Sequence, residues 1–120
     1  MPAQFETFKE RLSQNDEITI SVTGRKSGRT ISNPVWFALE NDTLYLLPVK
    51  GSDTEWYKNV LKNPAMRIQA GDAKAEVHVT PVTDTKKVTP VVERFRGKYG
   101  PGDVKKYYSK LDVAVVAELH

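Results

Sequence analysis

The 120-residue chain contains no cysteine, which removes disulfide frameworks, thiolate metal sites and cysteine nucleophiles from consideration. Its two histidines, His78 and His120, stand alone, with no paired spacing of the kind that ligates a metal. No apolar run approaches membrane-spanning length, and Met1 to Glu6 lack the charged-then-apolar pattern of a signal peptide. A cytoplasmic location with no membrane partner is therefore the expectation. Charge of one sign is also scarce. A net charge of +3 is too small to argue for nucleic acid, whose binders concentrate basic residues on one face, so no nucleic-acid partner is expected. Carboxylates are scattered, and no Ser/His/Asp order can be assembled. Any chemistry here belongs to a cofactor that the protein positions and polarises.

What is present reads as one globular domain spanning residues 1–120, with no repeat, linker or low-complexity tract. Phe5, Phe8 and Leu12 recur at helical spacing over residues 3–13. Residues 17–23 alternate with period two and predict a half-buried strand. Ile31 to Leu39 is a β-rich run in which Pro34 demands an edge position or a bulge. A third strand covers Thr43 to Val49. Ser52 and Glu55 have the spacing of a capping box, opening a helix that carries Trp56, Tyr57, Val60 and Leu61 on one face and stops at Asn63-Pro64. Strands follow at 65–70 and 75–82. A helix over 83–98 has its main part starting at Pro90 with Thr89 as cap. A short helical turn at 104–109 and a buried strand at 112–119 complete the pattern. Six mostly hairpin-linked strands with interspersed helices predict an α+β fold built on a small split barrel rather than a parallel sheet.

The loop Thr23 to Thr30 sets Arg25, Lys26 and Arg29 beside Gly24 and Gly28, with Ser27 and Thr30 interleaved. Glycines let backbone N–H groups turn inward as an anion nest, and Arg and Lys add charge suited to phosphate. The residues fit a phosphate grip and a solvated basic hairpin tip about equally. Pro48-Val49-Lys50-Gly51-Ser52, just ahead of a helix start, offers either a second anion site or an ordinary strand-to-helix connection. Trp56 and Tyr57 either wall a ring-binding cleft or pack the helix on the barrel. Of Trp36 and Phe37, on opposite faces of their strand, one belongs to the core and the other faces a cleft or a partner. Tyr99, Tyr107 and Tyr108 lie beside Lys98, Lys105 and Lys106, a pattern open to proton donation by a phenol, to base stacking, or to a plain surface helix.

Thr23-Gly24-Arg25-Lys26-Ser27-Gly28 followed by Asn33-Pro34-Val35-Trp36-Phe37 resembles the signature of the deazaflavin-dependent nitroreductase family, relatives of the pyridoxamine-phosphate-oxidase-like split barrels that bind flavins. The similarity runs through Val49-Lys50-Gly51-Ser52, Glu55 to Val60 and Asn63-Pro64, covering residues 17–72 well. It is looser in the last third, around Phe95 to Gly100. The resemblance implies a six-stranded flavin-reductase-like barrel that forms a homodimer and holds FMN or the deazaflavin coenzyme F420 near the interface. It implies that Lys26 holds the cofactor phosphate with Ser27 and Gly28, aided by Arg25 and Arg29. Asn33, Pro34 and Val35 would run along the ring; Val49, Lys50 and Gly51 would meet its polar edge or the linker; Trp56 and Tyr57 would pack behind that loop. Where the family carries a second Arg, this chain has Ile31, with Arg29 two residues earlier. The implied activity is an oxidoreductase passing hydride from reduced cofactor to a small electron-poor acceptor. The alternative is a non-catalytic flavin or deazaflavin carrier.

Overall fold

Alternating Ile18, Ile20 and Val22 bury one face of strand β1 (Ile18–Thr23) and leave Thr19, Ser21 and Thr23 on the other. In the computed structural model, which describes residues 3–119, this strand anchors half of a curled antiparallel sheet. It pairs on one side with β2 (Thr30–Val35) and on the other with β5 (Ala65–Ala70), which turns at Gly71-Asp72 into β6 (Ala73–Val82). The β6 strand serves two half-sheets. Residues 73–78 pair with β5, and residues 79–82 pair with β7 (Ala114–Glu118). The second half continues through β4 (Thr43–Leu46) to β3 (Phe37–Glu40), giving the order β2-β1-β5-β6-β7-β4-β3.

The sheet thus has seven strands, where the sequence pattern predicts six. The difference lies in the β-rich run over residues 31–39, which breaks at Trp36. Residues before the break pair with β1 and those after it pair with β4, so adjacent stretches of chain form the outer strands of opposite half-sheets. Pro34 does fall on an edge strand, opposite Thr19, as a residue without an N–H requires.

Among the described residues, four α-helices cover the sheet. Helix α1 (Ala3–Ser13) drives Phe8 and Leu12 into the main core, while the side chain of Phe5 and the whole of His120 lie outside the described residues. Helix α2 (Glu55–Lys62) adds Trp56, Tyr57 and Val60 to that core and ends before Pro64. Leu61 does not join them; it stands exposed, a quarter-turn off the buried stripe. The predicted capping box is also absent. Thr54 is the N-cap of α2, and both the N–H and the hydroxyl of Ser52 bond the Asp112 carboxylate, at 3.0 and 2.6 Å.

Helix α3 (Thr85–Tyr99) begins five residues before Pro90. Asp84 caps it, accepting a hydrogen bond from the Lys86 N–H at 3.0 Å, and Thr89 donates its hydroxyl to the Thr85 carbonyl instead of capping. Pro90 sits on the exposed side, so the loss of its own N–H bond is outweighed by keeping Val88, Val91, Val92 and Phe95 on one continuous stripe. That stripe, with α4 (Pro101–Tyr107), Tyr108, Ala38 and Leu47, forms a second core on the other side of β3 and β4.

Candidate functional site

The Gly24–Arg29 loop is closed by its own backbone. The Gly24 N–H donates to the Arg29 carbonyl at 2.8 Å, and the Gly28 N–H donates to the Gly24 carbonyl at 2.9 Å. Gly24 is buried at its base, where a Cβ would stand 2.7 Å from the Ser27 hydroxyl, and Gly28 adopts φ +71°. The closed loop is fastened to α2 through Arg25. The Arg25 N–H and guanidinium both donate to the buried Asn59 Oδ1, at 3.1 and 2.8 Å, and the guanidinium also reaches the Glu55 carboxylate at 2.9 Å. That bond holds the Glu55 carboxyl below its ordinary range. Lys62 adds a bond from its ammonium to the Arg25 carbonyl.

Arg25 is therefore committed to holding the loop, and its charge is countered by Glu55. Lys26 differs: its exposed ammonium makes no hydrogen bond or ion pair with any described residue. Among the described residues, the backbone N–H groups of Lys26 and Ser27 also lack a backbone acceptor. Two free N–H donors and a free ammonium on a rigid turn are complementary to an anionic oxygen cluster.

This loop opens on a cavity of about 400 Å³ lined by Gly24, Arg25, Lys26, Ser27, Ile31, Asn33, Glu55, Trp56 and Asn59. Ile31, Asn33 and Val35 share the inner face of β2, opposite Val22, Ile20 and Ile18. Further along the same strand a second cavity of about 350 Å³ is lined by Glu17, Pro34, Val35, Trp36, Val49, Tyr107 and Tyr108. The two hollows follow β2 in succession, a basic end at the loop and an aromatic end at Trp36.

The residues singled out in the sequence are distributed as follows. Arg25, Lys26, Ser27, Asn33 and Trp56 meet on the first cavity; Pro34, Val35 and Val49 meet on the second. Gly28 and the exposed Arg29 lie at the outer end of the loop, where the Arg29 N–H donates to the Ser27 hydroxyl. Ile31 projects to the first cavity. Lys50 is exposed, and Gly51 packs against Lys110 and Asp112; neither lines either hollow. Tyr57 belongs to the main core, where burial pushes its phenol up.

Trp36 and Phe37 divide as their alternation predicts: Phe37 is fully buried, and half-buried Trp36 stacks on Tyr99 with 4.2 Å between ring centres. The three late tyrosines have three different environments. The Tyr99 hydroxyl accepts from the Phe37 N–H and lies within donating distance of the Asp16 and Phe37 carbonyls, so it is consumed structurally. Tyr107 is exposed at the cavity rim. The Tyr108 ring is buried, yet its hydroxyl has no bonding partner among the described residues and is not sealed, so it opens to the second cavity. Burial pushes the Tyr108 phenol well up, which keeps it protonated and able to donate a hydrogen bond.

Burial likewise raises the Tyr99 phenol to about 12. A phenol whose folded value lies above its unfolded one stabilises the fold below the ordinary value of 10.0, and the benefit is lost as pH climbs toward about 12. Denaturation midpoints should fall across that alkaline window, and Tyr99→Phe should flatten the fall. An unchanged slope in the variant would assign the loss to other groups.

Sequence reasoning missed Asn59 and Glu17, whereas the cleft-facing place of Trp36 was among its expectations. Asn59 had a signal: it lies three residues after Trp56, a polar side chain inside an apolar stripe, and buried amides need partners. Glu17 had none, since it reaches the site only through the β1–β2 pairing, in which its neighbour Ile18 lies opposite Val35. Among the described residues no group of His, Cys, Asp and Glu is arranged to hold a metal, and no helix is long and apolar enough to cross a membrane.

The fold is that of the split barrels related to pyridoxamine 5'-phosphate oxidase. An F420-H2 dependent reductase superposes with a TM-score of 0.68 at 22% identity, over 87% of this chain and 95% of that one. A structure described as a domain-swapped dimer superposes at 0.69 with 21% identity, over 98% and 100% of the two chains. A putative pyridoxamine 5'-phosphate oxidase from Listeria innocua gives 0.67 at 12% identity, over 94% and 90%. Residues 9–116 match the model of DUF2255, described as an uncharacterized protein conserved in bacteria, and the chain belongs to that family. No curated protein matches the chain by sequence.

Proposed function

We propose that the chain is an oxidoreductase whose groove along β2 holds a flavin-type cofactor, FMN or the deazaflavin F420. The observation that carries this reading is the pairing of a rigid loop with free N–H groups and a free Lys26 ammonium with an aromatic hollow further along one strand. Such a molecule has an anionic phosphate at one end and a flat ring at the other. When bound, the group supplies hydride transfer to a small electron-poor acceptor.

The chain's own residues have separable tasks in this reading. Arg25, tied to Asn59 and Glu55, fixes the loop; Lys26 and the N–H groups of Lys26 and Ser27 hold the phosphate. Asn33 and Val35, on the inner face of β2, border the ring, with Trp56 on the helix side. Trp36, Val49 and Tyr107 shield the far end from water. Exposed Ile31, Val49 and Tyr107 all border the groove, which supports its being covered by a second copy of the chain.

Titration with FMN and with F420, followed by fluorescence quenching, tests the reading directly. Lys26→Ala should weaken binding ten- to a hundredfold, or about 1.5–3 kcal/mol for one charge-assisted contact, without moving the thermal midpoint. Absence of micromolar binding by both cofactors overturns the proposal. Binding without turnover of any generic acceptor would leave a carrier rather than an enzyme.

A further inference from the structure

The cofactor reading gives Trp36 and Tyr107 the task of shielding the ring, but it leaves Glu17 and Tyr108, which line the same second cavity, without one. Trp36, Tyr107 and Tyr108 wall it, and Glu17 stands at the same opening. The Trp36 and Tyr107 rings meet edge-on, 5.4 Å apart at 79°, and Trp36 and Tyr108 are tilted at 54° with 6.1 Å between centres. Two phenol planes each set at a large angle to the indole make a partial box instead of a stack. Tyr99 backs Trp36 on one face, so the indole is held in place from behind. The Glu17 carboxylate makes no ion pair or hydrogen bond with any described residue. Electron-rich ring faces attract cations, and a free carboxylate at the rim adds to that field.

We infer that this aromatic end binds a positively charged organic ring, and that the acceptor served by the groove is an organic cation of the N-alkylated heteroaromatic type. The inference rests on the oxidoreductase reading for the word acceptor, but the binding site itself does not. Such an acceptor suits a site without an obvious acid. Hydride delivered to a ring carbon of the cation would form one C–H bond and cancel the ring's charge, while the donor's C–H or N–H bond breaks and the reduced flavin-type donor, in its singly deprotonated form, is oxidised by two electrons to the neutral form. No proton has to come from the protein. The neutral product then loses its attraction to Glu17 and to the ring faces, which favours its release.

The test uses the full chain without cofactor and two probes of the same shape, N-methylquinolinium and quinoline, the latter uncharged at neutral pH. Binding is followed by tryptophan quenching and by calorimetry. The cation should bind about tenfold more tightly than quinoline. Glu17→Gln, an exposed position, should cut that preference to about twofold, and Trp36→Leu, checked for folding by circular dichroism, should weaken both probes. Equal affinity for the two probes, absence of binding by the cation, or a preference untouched by Glu17→Gln overturns the inference. Because no flavin is present, its failure is distinguishable from failure of the cofactor titration.

Discussion

Phe95→Ala is expected to cost about 3–5 kcal/mol of folding stability, the usual range for emptying a fully buried aromatic site. Phe95 is completely buried and is the largest fully buried side chain of the core between α3, α4 and the β3–β4 edge. Its ring packs 5.8 Å from Tyr99 and 5.9 Å edge-on from Tyr108. Those are the residues that back Trp36 and line the aromatic hollow. The loss should therefore be read twice: as a lower denaturant midpoint at unchanged slope, and as weaker binding of ring compounds under conditions where the variant is still folded. Phe95→Leu, which refills most of the volume, should recover most of both. Retention of wild-type stability in Phe95→Ala would mean that the second core contributes little to holding the sheet.

Gly51→Ala is expected to destabilise by about 2–4 kcal/mol, because two separate penalties coincide at one position. Gly51 has φ +56°, a conformation that costs an L side chain about 1–2 kcal/mol. A Cβ there would also stand 2.0 Å from the Asp112 carboxylate oxygen and 3.0 Å from the Lys110 carbonyl. That carboxylate is the one gripped by Ser52, so it cannot swing away without losing two hydrogen bonds. Gly28 separates the two penalties. It has φ +71° and nothing within 4 Å of a built Cβ, so Gly28→Ala should show only the conformational part, about 1–2 kcal/mol. Equal losses at the two glycines would show that the contact with Asp112 relaxes freely.

Local patterns were legible and tertiary exchanges were not. The helix over 3–13, the period-two strand read at 17–23 and found at 18–23, the edge position that was one of two open to Pro34, and the stop at Asn63-Pro64 all follow from spacing and backbone chemistry within a few residues. The break at Trp36 does not, because residues 31–39 stay β-prone throughout and the change is one of partner. Ser52 had the spacing of a cap, yet a carboxylate sixty positions away captured it. Pro90 has the chemistry of a helix start, but Asp84 capped an earlier turn and the apolar stripe needed the full length. For the candidate site, the basic loop and the Asn33 to Val35 stretch of β2 were visible as residue types. Which arginine is structural and which lysine is free depends on Asn59 and Glu55, and that division appears only once α2 lies against the loop.

The placing of β7 carries a consequence for how the chain acquires its shape. This strand is the last in sequence order, yet it lies inside the second half-sheet, between β6 and β4. Its register joins Thr43 to Glu118 and Leu46 to Val115, so the loop closed by that pairing spans most of the domain. Until residues 114–118 arrive, the β3–β4 hairpin has no neighbour and the far half of β6 presents an open edge. Emergence from the ribosome would leave β1, β2, β5 and the near half of β6 able to assemble first, with the aromatic end of the groove completed last and slowly, as long-range pairings are.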